Sequence, residues 1–555
     1  MKKMSLLTCT VLCALLNANG WAASPLPSFD KEAVTTHPYN RTGEEYVVDG
    51  KDNNPVEGYR PGNTGTKDAP AFYVKRIKLT GFELDTNDAS LKAIINEYTH
   101  RSVSMDELDN LTDKITEYTR LKGYTVAQAV IPPQEIQQGV LEIKVYVAKF
   151  DKVQISSNTS RVSDRVLQDF VNPLEPGEII TDKELERVIN DMNDLPGVVA
   201  RASLYTGSVP ATTGLNIDVM HRHVWNNYIF VDNGGSKTSG RYRYGVHTEI
   251  NNPGHQGDKI GITGMITNKD SDNYGVNYET AVGSRGTRLG VGYSKSSYDI
   301  GWVDNFINPS GESDGISFYG LTPVYRDKSK RVTAIYGYDR RNIKDDMRIK
   351  LNIEGIGYPI SRNQKKADVV HAGISCSEYL PNKFTSASLV YWYGDIDTEN
   401  VDAYYDGGYH KLTADVKHVR YWKDWNLQLM AQAQLANRDL DGSERFYLGG
   451  MNGVRAYPAS ELSGDCGYSA TVELRRKTDV EGLELAAFVD VGEVRLAKSY
   501  NDYEHLAGWG LGLRYSKPNE WYAQFDYAWK IDGKSYQSED HDHDGRMWFQ
   551  VYRMF

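Results

Sequence analysis

Trp425-Asn426-Leu427-Gln428-Leu429-Met430-Ala431-Gln432-Ala433-Gln434-Leu435 decides how this chain folds. Trp425, Leu427, Leu429, Ala431, Ala433 and Leu435 take every second position, and Asn426, Gln428, Gln432 and Gln434 fill most of the gaps. Successive side chains of a β-strand point to opposite faces, so this stretch is a strand with one apolar and one polar face. The pattern recurs. Tyr242, Tyr244, Val246 and Ile250 alternate with Arg241, Arg243, His247 and Glu249; Trp509, Leu511, Leu513 and Tyr515 alternate with glycines and Arg514. Trp521, Ala523, Phe525, Tyr527 and Trp529 alternate with Gln524, Asp526 and Lys530. Each segment is about 10 residues long and bounded by Gly, Asn, Asp or Pro, as a tilted membrane-crossing strand requires.

Alternation by itself does not say which face is inside, because a soluble lipocalin-like barrel would read the same with its apolar face inward. Size separates the two. Residues 224–555, at about 20 per strand and loop, make roughly 16 strands, and a barrel that wide encloses water. The polar face is therefore expected to line the lumen and the apolar face to meet lipid. A mean hydropathy of -0.54 then sits naturally beside 38 Tyr, 10 Trp and 50 Gly. Charges and glycines interrupt every apolar run that a membrane helix would need.

Lys2 and Lys3, the mostly apolar Met4–Leu16 and the small residues around Trp21 read as a signal peptide over 1–22. The lipoprotein-like Leu6-Leu7-Thr8-Cys9 has too few apolar residues before its cysteine. Removing the two lysines takes the net charge from -11 to -13. So acidic a chain argues against a nucleic-acid partner. Cys376 and Cys466 remain, and the sequence leaves open whether they pair or stay as thiols. Residues 23–71 are polar and rich in Pro, Gly, Asn and Asp, which predicts a linker without a helical stripe.

From Phe72 the texture changes. Tyr73–Leu79 alternates as a strand; Leu91, Ile94, Ile95 and Tyr98 share one helical face, and Leu108, Leu111, Ile115 and Tyr118 another. Val126–Ile131 and Val140–Val147 are strand-like. The unit then repeats, with capping boxes at Ser104-Met105-Asp106-Glu107 and Thr181-Asp182-Lys183-Glu184. Both Tyr73 to Phe150 and Ser104 to Thr181 are offsets of 77, as a tandem duplication would leave. Two small α+β domains are expected, 72–148 and 149–223.

Within the strand-rich half, Leu448-Gly449-Gly450-Met451-Asn452-Gly453-Val454-Arg455-Ala456-Tyr457-Pro458 and Ser463-Gly464-Asp465 are followed by Phe488-Val489-Asp490-Val491-Gly492. In order, spacing and setting, this pair resembles the loop and strand motifs of the two-partner secretion transporters, the TpsB family of hemolysin-activator and filamentous-adhesin-exporter type. The resemblance covers Phe72 to Phe555. It implies two periplasmic POTRA domains followed by a roughly 16-stranded antiparallel transmembrane β-barrel in the outer membrane of a Gram-negative-type bacterium. It also implies a loop near 448–466 folded into the lumen.

Gly453, Val454, Arg455, Ala456 and Tyr457 would form the functional loop and gate, with Phe488, Asp490 and Gly492 as the strand partner. The plainer reading of Arg455 is an exposed side chain on a hairpin loop; the resemblance places it against Asp490. Ala456 stands where the family most often has glycine, so a left-handed backbone there would be strained. The plug helix that often opens such chains is not evident in 23–71. Met547, Phe549, Val551 and Phe555 share a face like the terminal signal read by barrel-assembly machinery, with Arg553 at a position usually aromatic.

The partners implied are a secreted exoprotein with an N-terminal secretion domain, outer-membrane lipid and, during biogenesis, the assembly machinery. No catalytic, cofactor-binding or metal residues are expected. The Gly-x-Gly pairs lie on strands rather than before helices, and Ser538-Glu539-Asp540-His541-Asp542-His543-Asp544 reads as a solvated loop. Three rival readings stand beside export. A barrel-assembly insertase would carry more periplasmic domains, a barrel enzyme would need converging catalytic groups, and a porin would not need the tandem units.

Overall fold

The computed structural model describes residues 71–555 except 137, 223, 238, 270, 300–306, 328, 351–356, 400–404, 499–501, 533, 535 and 537–541. The expected signal peptide and the linker up to residue 70 lie outside the described residues. The chain divides into two compact units, one built on the tandem repeats and one on the strand-rich half.

In the first repeat, β1 (Phe72–Val74), β2 (Arg76–Gly81), α1 (Ala89–Glu97), β3 (Arg101–Val103), α2 (Met105–Leu121), β4 (Ala127–Val130) and β5 (Val140–Val147) follow one another. β5 is the centre of a three-stranded sheet, parallel to β2 and antiparallel to β4. Leu108, Leu111 and Ile115, spaced along one face of α2, pack with Leu141, Ile143 and Val145 of β5. The expected single strand over 73–79 is broken at Lys75. Its N–H and that of Arg76 both donate to the Gly139 carbonyl, at 2.7 and 3.1 Å, while β1 pairs with the short β3.

The second repeat runs β6 (Lys149–Asn158), α3 (Asp164–Val171), α4 (Asp182–Asn193), β7 (Val198–Thr206) and β8 (Thr212–His221). Its last strand is again central, parallel to β6 and antiparallel to β7. The two helix starts differ. Ser104 and Glu107 exchange both capping bonds, whereas Thr181 accepts from the Glu184 N–H but turns its hydroxyl to the Glu184 carboxylate.

The strand-rich half comprises β9 (Trp225–Asp232), β10 (Arg243–Asn251), β11 (Lys259–Thr267), β12 (Ser271–Val282), β13 (Thr287–Asp299), β14 (Ile307–Arg326), β15 (Lys330–Lys350), β16 (Gly357–Leu380), β17 (Lys383–Thr398), β18 (Gly407–Trp422) and β19 (Trp425–Ala436). After a long loop come β22 (Cys466–Lys477), β23 (Leu483–Arg495), β24 (Tyr503–Lys517), β25 (Trp521–Lys530) and β26 (Gly545–Met554). These sixteen strands close into one antiparallel barrel, with β26 hydrogen-bonded to β9. Closure leaves no free sheet edge for lipid to meet.

The faces of the barrel are sorted as size required. Leu429, Leu435, Val472, Trp509 and Leu511 are exposed on the outside, while Gln428, Gln434, Glu473, Asp490 and Asp526 are buried inside. Trp509 stacks on Trp529 with ring centroids 4.7 Å apart. Arg553, on the last strand, reaches Glu520 at 3.4 Å and covers the Trp521 ring, so its charge is carried to a turn and not left facing hydrocarbon. Cys376 and Cys466 are both free thiols, which closes the question of a bridge.

Candidate functional site: the lumen loop

The loop over 437–465 joins β19 to β22 and contains a 3₁₀ turn (Gly442–Glu444) and a small ribbon of β20 (Phe446–Leu448) with β21 (Leu462–Gly464). Beyond the ribbon the chain reverses at Gly449 and Gly450, with φ of +100° and +88°. A side chain at Gly449 would also lie 2.5 Å from the Pro458 carbonyl oxygen, so the position admits only glycine. The turn is tightened by Gly453 N–H donating to Gly450 O and Tyr457 N–H to Val454 O, both at 3.1 Å. Arg455 sits at its tip.

Arg455 is 4 % exposed, so the hairpin reading is excluded. Its Nε and Nη2 donate to the two oxygens of Asp490 at 2.8 and 2.9 Å, and its backbone N–H adds a third bond at 3.1 Å. The planar guanidinium matches a carboxylate in this two-pronged way, which fixes direction as well as distance. Nη1 reaches Glu473 at 2.8 Å and Asp526 at 3.2 Å. The guanidinium carbon lies 3.2 Å from the Phe488 ring centroid, a cation–π contact.

One arginine facing three buried carboxylates would leave a large uncompensated charge. Arg514 and Arg475 correct this. Arg514 donates to Asp526 at 2.6 Å and to Glu473 at 3.0 Å, and Arg475 donates to Glu473 at 2.7 Å. Three cations therefore balance three anions, and Thr471 satisfies Asp490 further at 2.8 Å. A cluster of this kind holds because every member is paired; removing one member costs far more than the net value of a pair.

The loop backbone is held as well. Trp548 Nε1 donates to the Arg455 carbonyl at 2.6 Å and the Tyr536 hydroxyl to the Ala456 carbonyl at 3.0 Å. Val454, Ala456 and Tyr457 are fully buried, packing with Phe488, Leu506 and Ala528 of the wall. Glycines in the wall make the room. A Cβ at Gly492 would lie 2.4 Å from Leu448 Cδ1, and one at Gly508 would lie 2.5 Å from the Ala456 methyl. Ala456 is absent from the residues of positive φ, so its replacement of glycine carries no backbone strain.

Gly453, Val454, Arg455, Ala456 and Tyr457 are thus brought against Phe488, Asp490 and Gly492. Phe555 lies at the chain end beyond β26, with its N–H donating to the Asn227 carbonyl at 3.0 Å. Glu473, Asp526, Arg514, Trp548 and Tyr536 were missed. The alternation put Arg514 and Asp526 on a polar face, but pairing across strands was needed to see them meet. Most of the Ser538–Asp544 loop lies outside the described residues. Among those described, no group of His, Cys, Asp and Glu has metal-holding geometry.

Comparison with known proteins places this geometry. Residues 72–147 match the model for a POTRA domain of ShlB type. The chain is 24 % identical over 513 residues to the heme/hemopexin transporter protein HuxB of Haemophilus influenzae (strain 86-028NP), covering 88 % of this chain and 87 % of that protein. It is 21 % identical over 490 residues to the outer membrane transporter CdiB of Dickeya dadantii (strain 3937), covering 85 % of each. CdiB from Escherichia coli shares the fold with a TM-score of 0.67 at 16 % identity, over 89 % of this chain and 93 % of that one. Residues 212–515, more than half of the chain, match the model for the haemolysin secretion/activation protein ShlB/FhaC/HecB, and the chain belongs to that family.

Proposed function

We propose that this outer-membrane transporter meets one large unfolded exoprotein in the periplasm through its two small domains and threads it through the barrel, with the 437–465 loop as gate. The observation that carries the gating part is the buried seat of Arg455 among Asp490, Glu473 and Asp526. A loop held by one balanced ionic cluster and a glycine-hollowed wall has a defined closed position, and also a defined way to leave it. Lumen water would re-solvate the same groups once the loop lifts.

Capture is supported by β2, an outer strand of the first small sheet, whereas the outer strands β4, β6 and β7 already spend backbone groups on Thr116, Glu178 and Asn193. An extended chain adds to such an edge by backbone hydrogen bonds, and neighbouring side-chain pockets supply choice. Folding of the cargo outside would then bias its movement, with no nucleotide chemistry required of this chain. We read the chain as a transporter and not an enzyme, with a secreted protein bearing an N-terminal secretion domain as its partner.

An insertase is the second reading. BamA from Haemophilus ducreyi shares the barrel fold at a TM-score of 0.53 and 14 % identity, which is a likeness of fold alone. The test compares surface and medium proteins of the producing cell with and without this chain. Loss of one large secreted protein, with other barrels at normal levels, is the expected result. Loss of many barrels at once would favour the insertase.

A further inference from the structure

The gate loop carries a second cluster of buried charge, chemically separate from the one around Arg455. Glu444 closes the 3₁₀ turn and is 2 % exposed. One carboxylate oxygen meets Arg341 Nη2 of β15, and the other accepts from Lys411 Nζ of β18 at 2.7 Å. Three residues earlier, Asp441 accepts from Lys365 Nζ of β16 at 2.9 Å and from the Ser443 N–H at 3.0 Å, so it both caps the turn and binds the wall. The Glu444 carbonyl is taken by Gln434 Nε2 at 2.8 Å.

The loop leaves the wall between β19 and β22. Its outer limb leans back onto β15, β16 and β18, whereas its tip runs the other way onto β22, β23 and β25. The polarity of the clusters is opposite: acids on the limb meet bases on the wall, and a base at the tip meets acids on the wall. A loop fixed on two arcs on either side of its own root is a strap with two separate ionic attachments.

We propose that Glu444, assisted by Asp441, is a positioning residue forming a second anchor of the gate, so that its cluster and the Arg455 cluster each stabilise the closed loop and loss of either favours opening. This rests on the reading of the loop as a gate. Glu444 holds the limb through its charge and not merely by filling space.

The test uses the purified full chain in planar bilayers, with potassium chloride as the conducting probe. Glu444→Gln keeps the shape and removes the charge; the fraction of time spent in the open level should rise about tenfold. Glu444→Asp keeps the charge and should stay within about twofold of the parent. Asp441→Asn should move in the same direction as Glu444→Gln, and serves if that variant loses heat-modifiability. Parent-like opening in both neutral variants would overturn the anchor, as would equal opening in Glu444→Asp and Glu444→Gln. Arg455→Ala, measured alongside, separates the two ideas. If it opens the channel while the neutral limb variants do not, only the second anchor fails; if it too stays shut, the gate reading fails.

Discussion

The indole N–H of Trp548 donates to the backbone carbonyl of Arg455 at 2.6 Å, joining the tip of the lumen loop to the strand that closes the barrel. Arg455 is therefore held at both ends, its guanidinium by acids of the wall and its carbonyl by an indole. The bond is buried, with Trp548 fully enclosed. Trp548→Phe keeps most of the packing but removes the donor, leaving a buried carbonyl short of a partner at a cost of about 1–3 kcal/mol. The expected result is a loop more easily cleaved by added protease, in a barrel that remains heat-modifiable.

Arg455→Ala and Asp490→Ala should each lower secretion, but unequally. Loss of Arg455 leaves Asp490 without its arginine and takes one cation from Glu473 and Asp526, which keep Arg514, while loss of Asp490 leaves Arg455 two other carboxylates. Breaking a buried pair costs about 3–5 kcal/mol, less where lumen water screens it. The double variant should be little worse than Arg455→Ala, since partners in one cluster are not additive. Independent, multiplying losses in secretion assays would show that the two residues act separately.

Gly508→Ala should unseat the loop, because the added Cβ would fall 2.5 Å from the Ala456 methyl. Ala456→Gly on the same chain removes that methyl and should restore much of the lost closure. Channel opening in bilayers reads both variants. A double variant as open as Gly508→Ala alone would place the strain elsewhere, for instance on the Trp529 carbonyl 3.1 Å away.

Deleting residues 72–148 should abolish export while leaving a heat-modifiable barrel in the outer membrane. The first repeat has its own apolar core around Leu111, Ile115 and Ile143, so its removal takes nothing from the strand ladder of the barrel. Normal export by the shortened chain would remove the first repeat from capture.

Acid should loosen the first repeat at Asp88. The Lys122 ammonium, and then the N–H groups of Leu91 and Ser90, hold its carboxyl at about 2, below its ordinary 3.8. The folded value is depressed, so its contribution is present above the ordinary value and fades as pH falls towards 2. Asp88→Asn should lower the thermal midpoint of the small-domain unit at neutral pH and flatten its decline below about pH 4. Thermal melts followed by circular dichroism across that range would detect both effects.

Much of the architecture was legible in the chain because it depends on local periodicity. Alternation over 425–435 marks a strand with two unlike faces whatever its neighbours are, and the number of such strands decides that the lumen holds water. The repeat at 72–148 and 149–223 was legible for the same reason, since helix faces and capping residues are properties of short windows. The break at Lys75 was not, because it follows from the Gly139 carbonyl, distant in sequence, drawing both N–H groups. The motif around Arg455 pointed to Asp490, but nothing in the spacing identified Glu473, Asp526, Arg514 or Trp548 as partners. Nor did it show Glu444 turned to Arg341 and Lys411. Those contacts are set by strand register and by which arcs of a closed wall a folded-back loop can reach. Strand periodicity is written residue by residue, whereas the meeting of charges across a lumen exists only once the sheet has closed.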